Sequence, residues 1–100
     1  MKTILVRYKL KPGQGEPNEA LVRAVFEQLG ATQPAGLHYA SFKAADGLSF
    51  THLAMIDTPD GSNPLPGLPA FKAFVADIGA RCDEPPVATE LTEVGRYRLP

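Results

Sequence analysis

The apolar residues of this chain change their spacing along its length, and the order of those changes restricts the fold to few topologies. From Thr3 to Lys11, Ile4, Val6, Tyr8 and Leu10 fall on one side and Leu5, Arg7 and Lys9 on the other. That is the two-residue period of a strand, and "KPGQG" closes it. The next segment, "EPNEALVRAVFEQLG", places Leu21, Val22, Val25, Phe26 and Leu29 at helical spacing, with Pro17 or Asn18 at its first positions and Gly30 as its stop. The linker "ATQPAG" leads to a strand from Leu37 to Ala44. "AADG" is a hairpin turn whose Asp46-Gly47 suits positive φ, and a third strand runs from Leu48 to Asp57. The turn-rich stretch "TPDGSNPLPGLP" then excludes a regular element. A second helix carries Leu68, Phe71, Phe74, Val75, Ile78 and Cys82 on one stripe, with Pro69 in its first turn. Pro85 and Pro86 end anything helical, and Val87 to Leu99 reads as a last strand with a bulge or bend near Thr92–Gly95.

The order β-α-β-β-α-β with right-handed crossovers predicts an α+β, ferredoxin-like domain over residues 1–100. Its four strands form one antiparallel sheet, the first and third strands are central neighbours, and both helices cover the same face. The third strand conflicts with a lone copy of that arrangement. In "FTHLAMI", Phe50, Ala54 and Ile56 share the side of His52, while Leu53 and Met55 lie on the other with Thr51. Both sides are mostly apolar, whereas a half-solvated sheet reads apolar on one side and polar on the other. Two helices cover one face only, so the expected partner is a second copy, joined sheet to sheet about a two-fold axis.

Composition narrows the partners further. Ten Lys and Arg against eleven Asp and Glu leave a net charge of −1 in 100 residues, so no basic footprint points to nucleic acid or to anionic lipid. Cys82 is the sole cysteine, which excludes an internal disulfide and a multi-cysteine metal site and suits a reducing compartment. The opening "MKTILVRYKLKPG" has too short an apolar run for a secretory signal, and no stretch is long enough to span a membrane; a cytoplasmic protein is expected. The loop "DGSNPLPG" lacks the glycine spacing of a phosphate cradle and reads either as a lid over a pocket or as a plain connection.

Several stretches together resemble a known family. These are the strand "ILVRYKLKPGQ", the acidic amphipathic helix, the hairpin "HYASFKAADGLSFTHLAMID", the run "LPAFKAFVADIGARC" and the final "VATELTEVGRY". In pattern and order they are similar to the dimeric α+β-barrel superfamily, in its antibiotic biosynthesis monooxygenase-like branch. The resemblance implies a ferredoxin-like protomer, a barrel formed by two sheets across a two-fold, and a small pocket between helices and sheet. It also implies chemistry such as cofactor-independent oxygenation of phenols and quinols. The chain departs from the haem-degrading branch. It has no tryptophan, its asparagines are Asn18 at a helix start and Asn63 in a loop, and its second helix opens "LPAFKAF" without a histidine. No catalytic residue is therefore carried over by motif, and no cofactor is expected.

The residues themselves offer candidates. His52 with Tyr8 is the expected catalytic pair if both face the helices. Burial would keep the imidazole neutral, ready to take a phenolic or quinol proton, with Tyr8 orienting the substrate. The plain alternative is a core or dimer-seam histidine with satisfied hydrogen bonds, and a one-residue slip in register decides between the two faces. Phe50 and Tyr39 are candidate substrate contacts. Arg81 either overhangs the pocket mouth to hold an anion or simply suits the end of its helix. His38 is expected at an exposed strand end, and His38 with His52 lacks the further ligand a metal site needs. Cys82 falls on the apolar stripe and reads as core. Arg96, Tyr97 and Arg98 read as dimer contacts or as edge charges. The function predicted is a monooxygenase-like enzyme for a small phenol- or quinol-type aromatic. The alternative is a non-catalytic ligand-binding or dimerisation module.

Overall fold

A computed structural model describes residues 1–99; Pro100, the last residue of the expected domain, lies outside the described residues. Strand β1 (Lys2–Leu10) is followed by helix α1 (Gly15–Thr32), strands β2 (Leu37–Lys43) and β3 (Ser49–Ile56), helices α2 (Pro69–Val75) and α3 (Ile78–Arg81), and strand β4 (Cys82–Leu91). The strands form one sheet in the order β2-β3-β1-β4, with β1 and β3 in the centre and every pair antiparallel. This is the ferredoxin-like arrangement, with the helices on one face.

The register settles which residues meet the helices. Val6 lies opposite His52 and Tyr8 opposite Phe50, so Ile4, Val6, Tyr8 and Leu10 share a face with Phe50, His52, Ala54 and Ile56. On the other side of β3, Tyr39 lies opposite Ala54 and Ser41 opposite His52. Val22 and Val25 of α1, Leu65 of the loop and Phe74 of α2 close over this face and complete the core. Along β3 every helix-facing residue is buried and every residue between them is half-buried.

Four element boundaries differ from the sequence reading, each for a local reason. Helix α1 does not stop at Gly30 but continues to Thr32, because an exposed helical glycine costs only about 1 kcal/mol. The stop is Gln33, whose φ of 45° turns the backbone left-handed. The hairpin is wider than a two-residue positive-φ turn: the Ala44 amide donates to the Ser49 carbonyl at 2.9 Å, with residues 45–48 looped between them. Gly47 has φ 72°, while the Asp46 carboxylate accepts hydrogen bonds from the Leu48 and Ser49 amides, both at 2.8 Å. The single helix expected through Cys82 is broken at Ala76 and Asp77, the latter with φ 57°. The Arg81 guanidinium donates to the carbonyls of Phe74 (2.6 Å) and Ala76 (2.8 Å), which the break leaves without helical partners. The chain then enters β4 at Cys82 rather than Val87.

Pro85 and Pro86 therefore sit inside a strand. They fall between the pairs Arg7–Val87 and Lys9–Glu84, as a bulge on the edge strand opposite Tyr8. The bend expected near Thr92–Gly95 lies instead in irregular chain, since β4 ends at Leu91. The far face of the sheet carries Phe42 (57% exposed), Val87 (63%) and Leu91 (39%) beside half-buried Leu5, Leu53 and Met55. Beyond Leu91 the tail is exposed at Val94, Tyr97 and Leu99, and Arg96 pairs with Glu93 at 2.7 Å. Among the described residues, no helix is long and apolar enough to cross a membrane.

Candidate functional site

His52 sits at mid-strand in the central pair, facing the helices, and is only 3% exposed. Its ring lies among aromatic rings, with Tyr8 and Phe74 each 5.3 Å away between centroids and Tyr39 at 5.9 Å. Both ring nitrogens are engaged. Nε2 is 2.8 Å from the Tyr8 hydroxyl, and Nδ1 is 2.9 Å from the Tyr39 hydroxyl and 2.5 Å from Ser41 Oγ.

The direction of these bonds follows from Asn18. Helix α1 begins at Gly15, so Asn18 is not a cap but lies one turn inside, fully buried on the stripe of Val22 and Val25. Its Oδ1 accepts from Arg81 Nη2 at 3.5 Å, and its Nδ2 donates to the Tyr8 oxygen at 2.8 Å. Among the described residues the Tyr8 hydroxyl bonds only to Asn18 and His52, so its own proton must go to Nε2 or be left without an acceptor in the core. His52 then carries its proton on Nδ1, facing the Ser41 and Tyr39 oxygens. The result is a directed chain from Arg81 through Asn18 and Tyr8 to His52.

Burial acts on each ionisable member. It pushes His52 down from 6.5 to about 4, so the imidazole is neutral at physiological pH. It pushes Tyr39 up to about 12 against the bond from Ser41, and it raises Tyr8 further, with Asn18 opposing. The site resists charge of either sign.

Beside this chain is a cavity of about 210 Å³. Tyr8, Tyr39 and His52 form its polar end, and Val6, Ala54 and Phe74 belong to its apolar wall. Asn63 and Val75 also line it, and Val75 is 42% exposed. Phe71 and Phe74 bound the space without filling it, and Phe26 stands outside it, stacked on Tyr39 at 5.3 Å. Pro86 reaches the lining because the bulge carries it to this face.

The residues singled out from sequence divide cleanly. Tyr8, Tyr39 and His52 come together. Phe50 lies under Tyr8, stacked at 5.6 Å, and is outside the cavity lining. Arg81 is also outside it, its guanidinium turned to Asn18 and to backbone carbonyls, with Nε buried and without a partner among the described residues. His38 lies opposite Met55, exposed on the far face, so it cannot meet His52. Cys82 is buried at the foot of β4, and burial pushes its thiol up. Among the described residues, no three His, Cys, Asp or Glu side chains gather as a metal site. Sequence reading missed Asn18, Ser41 and Asn63. Asn18 was detectable in principle, four residues before Val22 on the helical stripe.

No protein-family profile matches the chain, and no curated protein matches it in sequence. Solved structures do share its fold. Rv0793 from Mycobacterium tuberculosis is 19% identical, with a TM-score of 0.75 over 95% of this chain and 96% of that one. A protein named antibiotic biosynthesis monooxygenase is 17% identical, with a TM-score of 0.76 over 95% and 100%. A variant of SnoaB, a cofactor-independent oxygenase from Streptomyces nogalater, is 16% identical, with a TM-score of 0.70 over 98% and 97%. At these identities the likeness establishes a common fold with antibiotic biosynthesis monooxygenase-like proteins.

Proposed function

We propose that the protein is a monooxygenase that needs no cofactor and acts on a small phenol- or quinol-type aromatic. One observation carries this reading: a cavity whose polar end is the hydrogen-bonded pair Tyr8–His52. A substrate hydroxyl at that end donates to the Tyr8 oxygen, whose own proton already points at His52 Nε2. One concerted shift moves both protons and leaves an electron-rich phenolate beside an imidazolium. The pair forms together, so the net charge of the cavity is unchanged, and the Nδ1 proton of the imidazolium keeps its Ser41 and Tyr39 acceptors. The phenolate then reduces O2. A phenol and O2 give a quinone and water, so one oxygen atom enters the ring and the other leaves as water with no external reductant. In this scheme Tyr8 relays the proton and His52 is the base. Arg81 acts through Asn18 instead of on the substrate.

The working unit we propose is a two-fold dimer joined through the open sheet face. Phe42 and Val87, more than half exposed there, and the apolar tail residues Val94, Tyr97 and Leu99 support it. A cytoplasmic setting belongs to the same proposal and fits the single buried thiol of Cys82.

Oxygen uptake with a panel of hydroquinones and phenols, for wild type and His52→Ala, tests the chemistry. Uptake that falls at least about a hundredfold in the variant supports the role of a general base. Equal uptake in both removes His52 from the mechanism. Ligand binding with no uptake by wild type favours a non-catalytic binding module.

A further inference from the structure

Two tyrosine hydroxyls meet the cavity, and the sharing of their protons decides how the site answers a ligand. We propose that the hydrogen-bond chain Tyr8–His52–Ser41–Tyr39 is reversible: a ligand hydroxyl at Tyr8 holds it in one direction, and a ligand carbonyl there turns it round. The site then binds the carbonyl product as well as the hydroxyl substrate. This rests on the reading of the Tyr8–His52 cavity as a ligand site.

The direction in the empty site follows from counting protons. Three polar groups meet on the far side of the imidazole: His52 Nδ1, Ser41 Oγ at 2.5 Å from it, and the Tyr39 hydroxyl at 2.9 Å. Each carries one proton when Nδ1 holds that of the ring. Nδ1 donates to the nearer Ser41 oxygen, and Ser41 donates to the Tyr39 oxygen. The Tyr39 proton is left over. Among the described residues no further group bonds the Tyr39 hydroxyl, and Tyr39 lines the cavity while Ser41 does not. The empty site therefore offers a ligand two unlike groups. One is a donor, Tyr39 O–H, and the other is an acceptor, the Tyr8 oxygen, whose own proton goes to Nε2.

The opposite direction satisfies as many groups once the cavity supplies an acceptor. Tyr39 donates to Ser41, Ser41 to Nδ1, and Nε2 to the Tyr8 oxygen, which keeps its bond from Asn18 at 2.8 Å. The Tyr8 proton is now the one left over, and it points into the cavity. Tyr8 is 4% exposed and Tyr39 half-buried, so an empty site leaves the spare proton on Tyr39. A carbonyl oxygen beside Tyr8 takes up the stranded proton and completes the reversed chain. A hydroxyl beside Tyr8 donates to it and keeps the chain as found.

Passing between the two directions moves one proton along each link. One proton enters at Tyr8, one leaves at Tyr39, and every residue ends neutral. A phenol that becomes a quinone gives up such a proton, which enters at Tyr8, and the proton leaving Tyr39 joins the oxygen atom released as water. The new carbonyl is then left facing the Tyr8 O–H. Such a relay suits a site where burial disfavours both a histidine cation and a tyrosine anion.

The tautomer of His52 reads the direction. Nitrogen-15 NMR of histidine-labelled wild-type protein, at pH 7 and without oxygen, compares the free protein with protein saturated by 4-ethylphenol and by acetophenone. Shifts of the aromatic proton signals follow the binding itself. The expected result is Nδ1–H in the free protein and with 4-ethylphenol. With acetophenone the ratio of Nε2–H to Nδ1–H should rise by about tenfold or more. In Tyr8→Phe, which has no hydroxyl to offer, the ratio should be the same with either ligand. Bound acetophenone with an unchanged ratio in wild type overturns the inference, whether or not the variant folds. So does failure of acetophenone to bind where 4-ethylphenol binds, or a ligand-dependent ratio that persists in folded Tyr8→Phe. None of these three outcomes touches the proposed reaction, which oxygen uptake tests. Reversal by acetophenone in a protein that shows no oxygen uptake would leave this inference standing and remove that reaction. Binding of neither ligand would remove both.

Discussion

Asn18 shows how one buried amide sets the chemistry of residues it lies beside. Its two ends are chemically different, so accepting from Arg81 and donating to Tyr8 fixes the polarity of everything downstream. Asn18→Ala should lower stability by about 1–3 kcal/mol in urea unfolding, because both the Tyr8 oxygen and the Arg81 guanidinium lose a buried partner. A change under about 0.5 kcal/mol would mean the amide is not a structural link. His52 gives a second prediction, with its sign set by linkage. The folded imidazole titrates near 4 and an unfolded one near 6.5, so as pH falls the unfolded chain binds the proton first. The stability due to neutral His52 is complete above about pH 6.5 and is lost between 6.5 and 4, about 3 kcal/mol in all. Denaturant midpoints across that window should fall more steeply for wild type than for His52→Gln. Parallel curves would contradict it.

Elements were legible where periodicity ran uninterrupted and lost where backbone chemistry overrode it. The strands around His52 and the stripe of α1 follow their apolar spacing closely. The helical stripe from Leu68 to Cys82 is real as a buried face, yet the backbone beneath it breaks at Asp77 and becomes a strand at Cys82. Period alone cannot separate these cases, because Ile78 and Cys82 reach the core side from either geometry. The break is recorded in Arg81, whose bonds to two carbonyls are invisible to a pattern of apolar residues. The same limit hid the bulge at Pro85–Pro86, where prolines that exclude a helix are equally at home on an edge strand. Close backbone approaches yield a prediction here. Gly36 has φ 77°, and a Cβ there would stand 2.7 Å from the Asp57 carbonyl oxygen, where β2 meets the end of β3. Gly36→Ala should cost about 1–3 kcal/mol in thermal or denaturant unfolding. Gly79→Ala, in α3 with nothing within 4 Å of its Cβ, should change stability little. Equal effects at both positions would contradict the close approach.

At the scale of the whole molecule, the sheet has two unlike faces, and each was anticipated by "FTHLAMI". The face holding His52 is covered by α1, α2 and the 57–68 loop, which leave the cavity beside His52 open near Val75. The other keeps Phe42, Val87 and Leu91 in contact with water in a single copy. Which face His52 would occupy was not legible, because a period-two strand reads the same after a one-residue slip. The pairing Val6–His52 decides it. The proposed dimer predicts twice the chain mass in sedimentation at micromolar concentration. Phe42→Asp combined with Val87→Asp should shift the mass to that of one chain while far-ultraviolet circular dichroism stays unchanged. A monomeric wild type would remove the dimer from the account.

The central claim is a neutral His52 that carries its proton on Nδ1 and receives the Tyr8 proton at Nε2. Nitrogen-15 NMR of labelled histidine measures both parts directly, across pH 3 to 8. The account predicts a neutral, Nδ1-protonated ring that persists down to about pH 4, and a shift of the tautomer balance in Tyr8→Phe, which has no proton to give. A ring that titrates near 6.5, or one protonated on Nε2 at neutral pH, would contradict it.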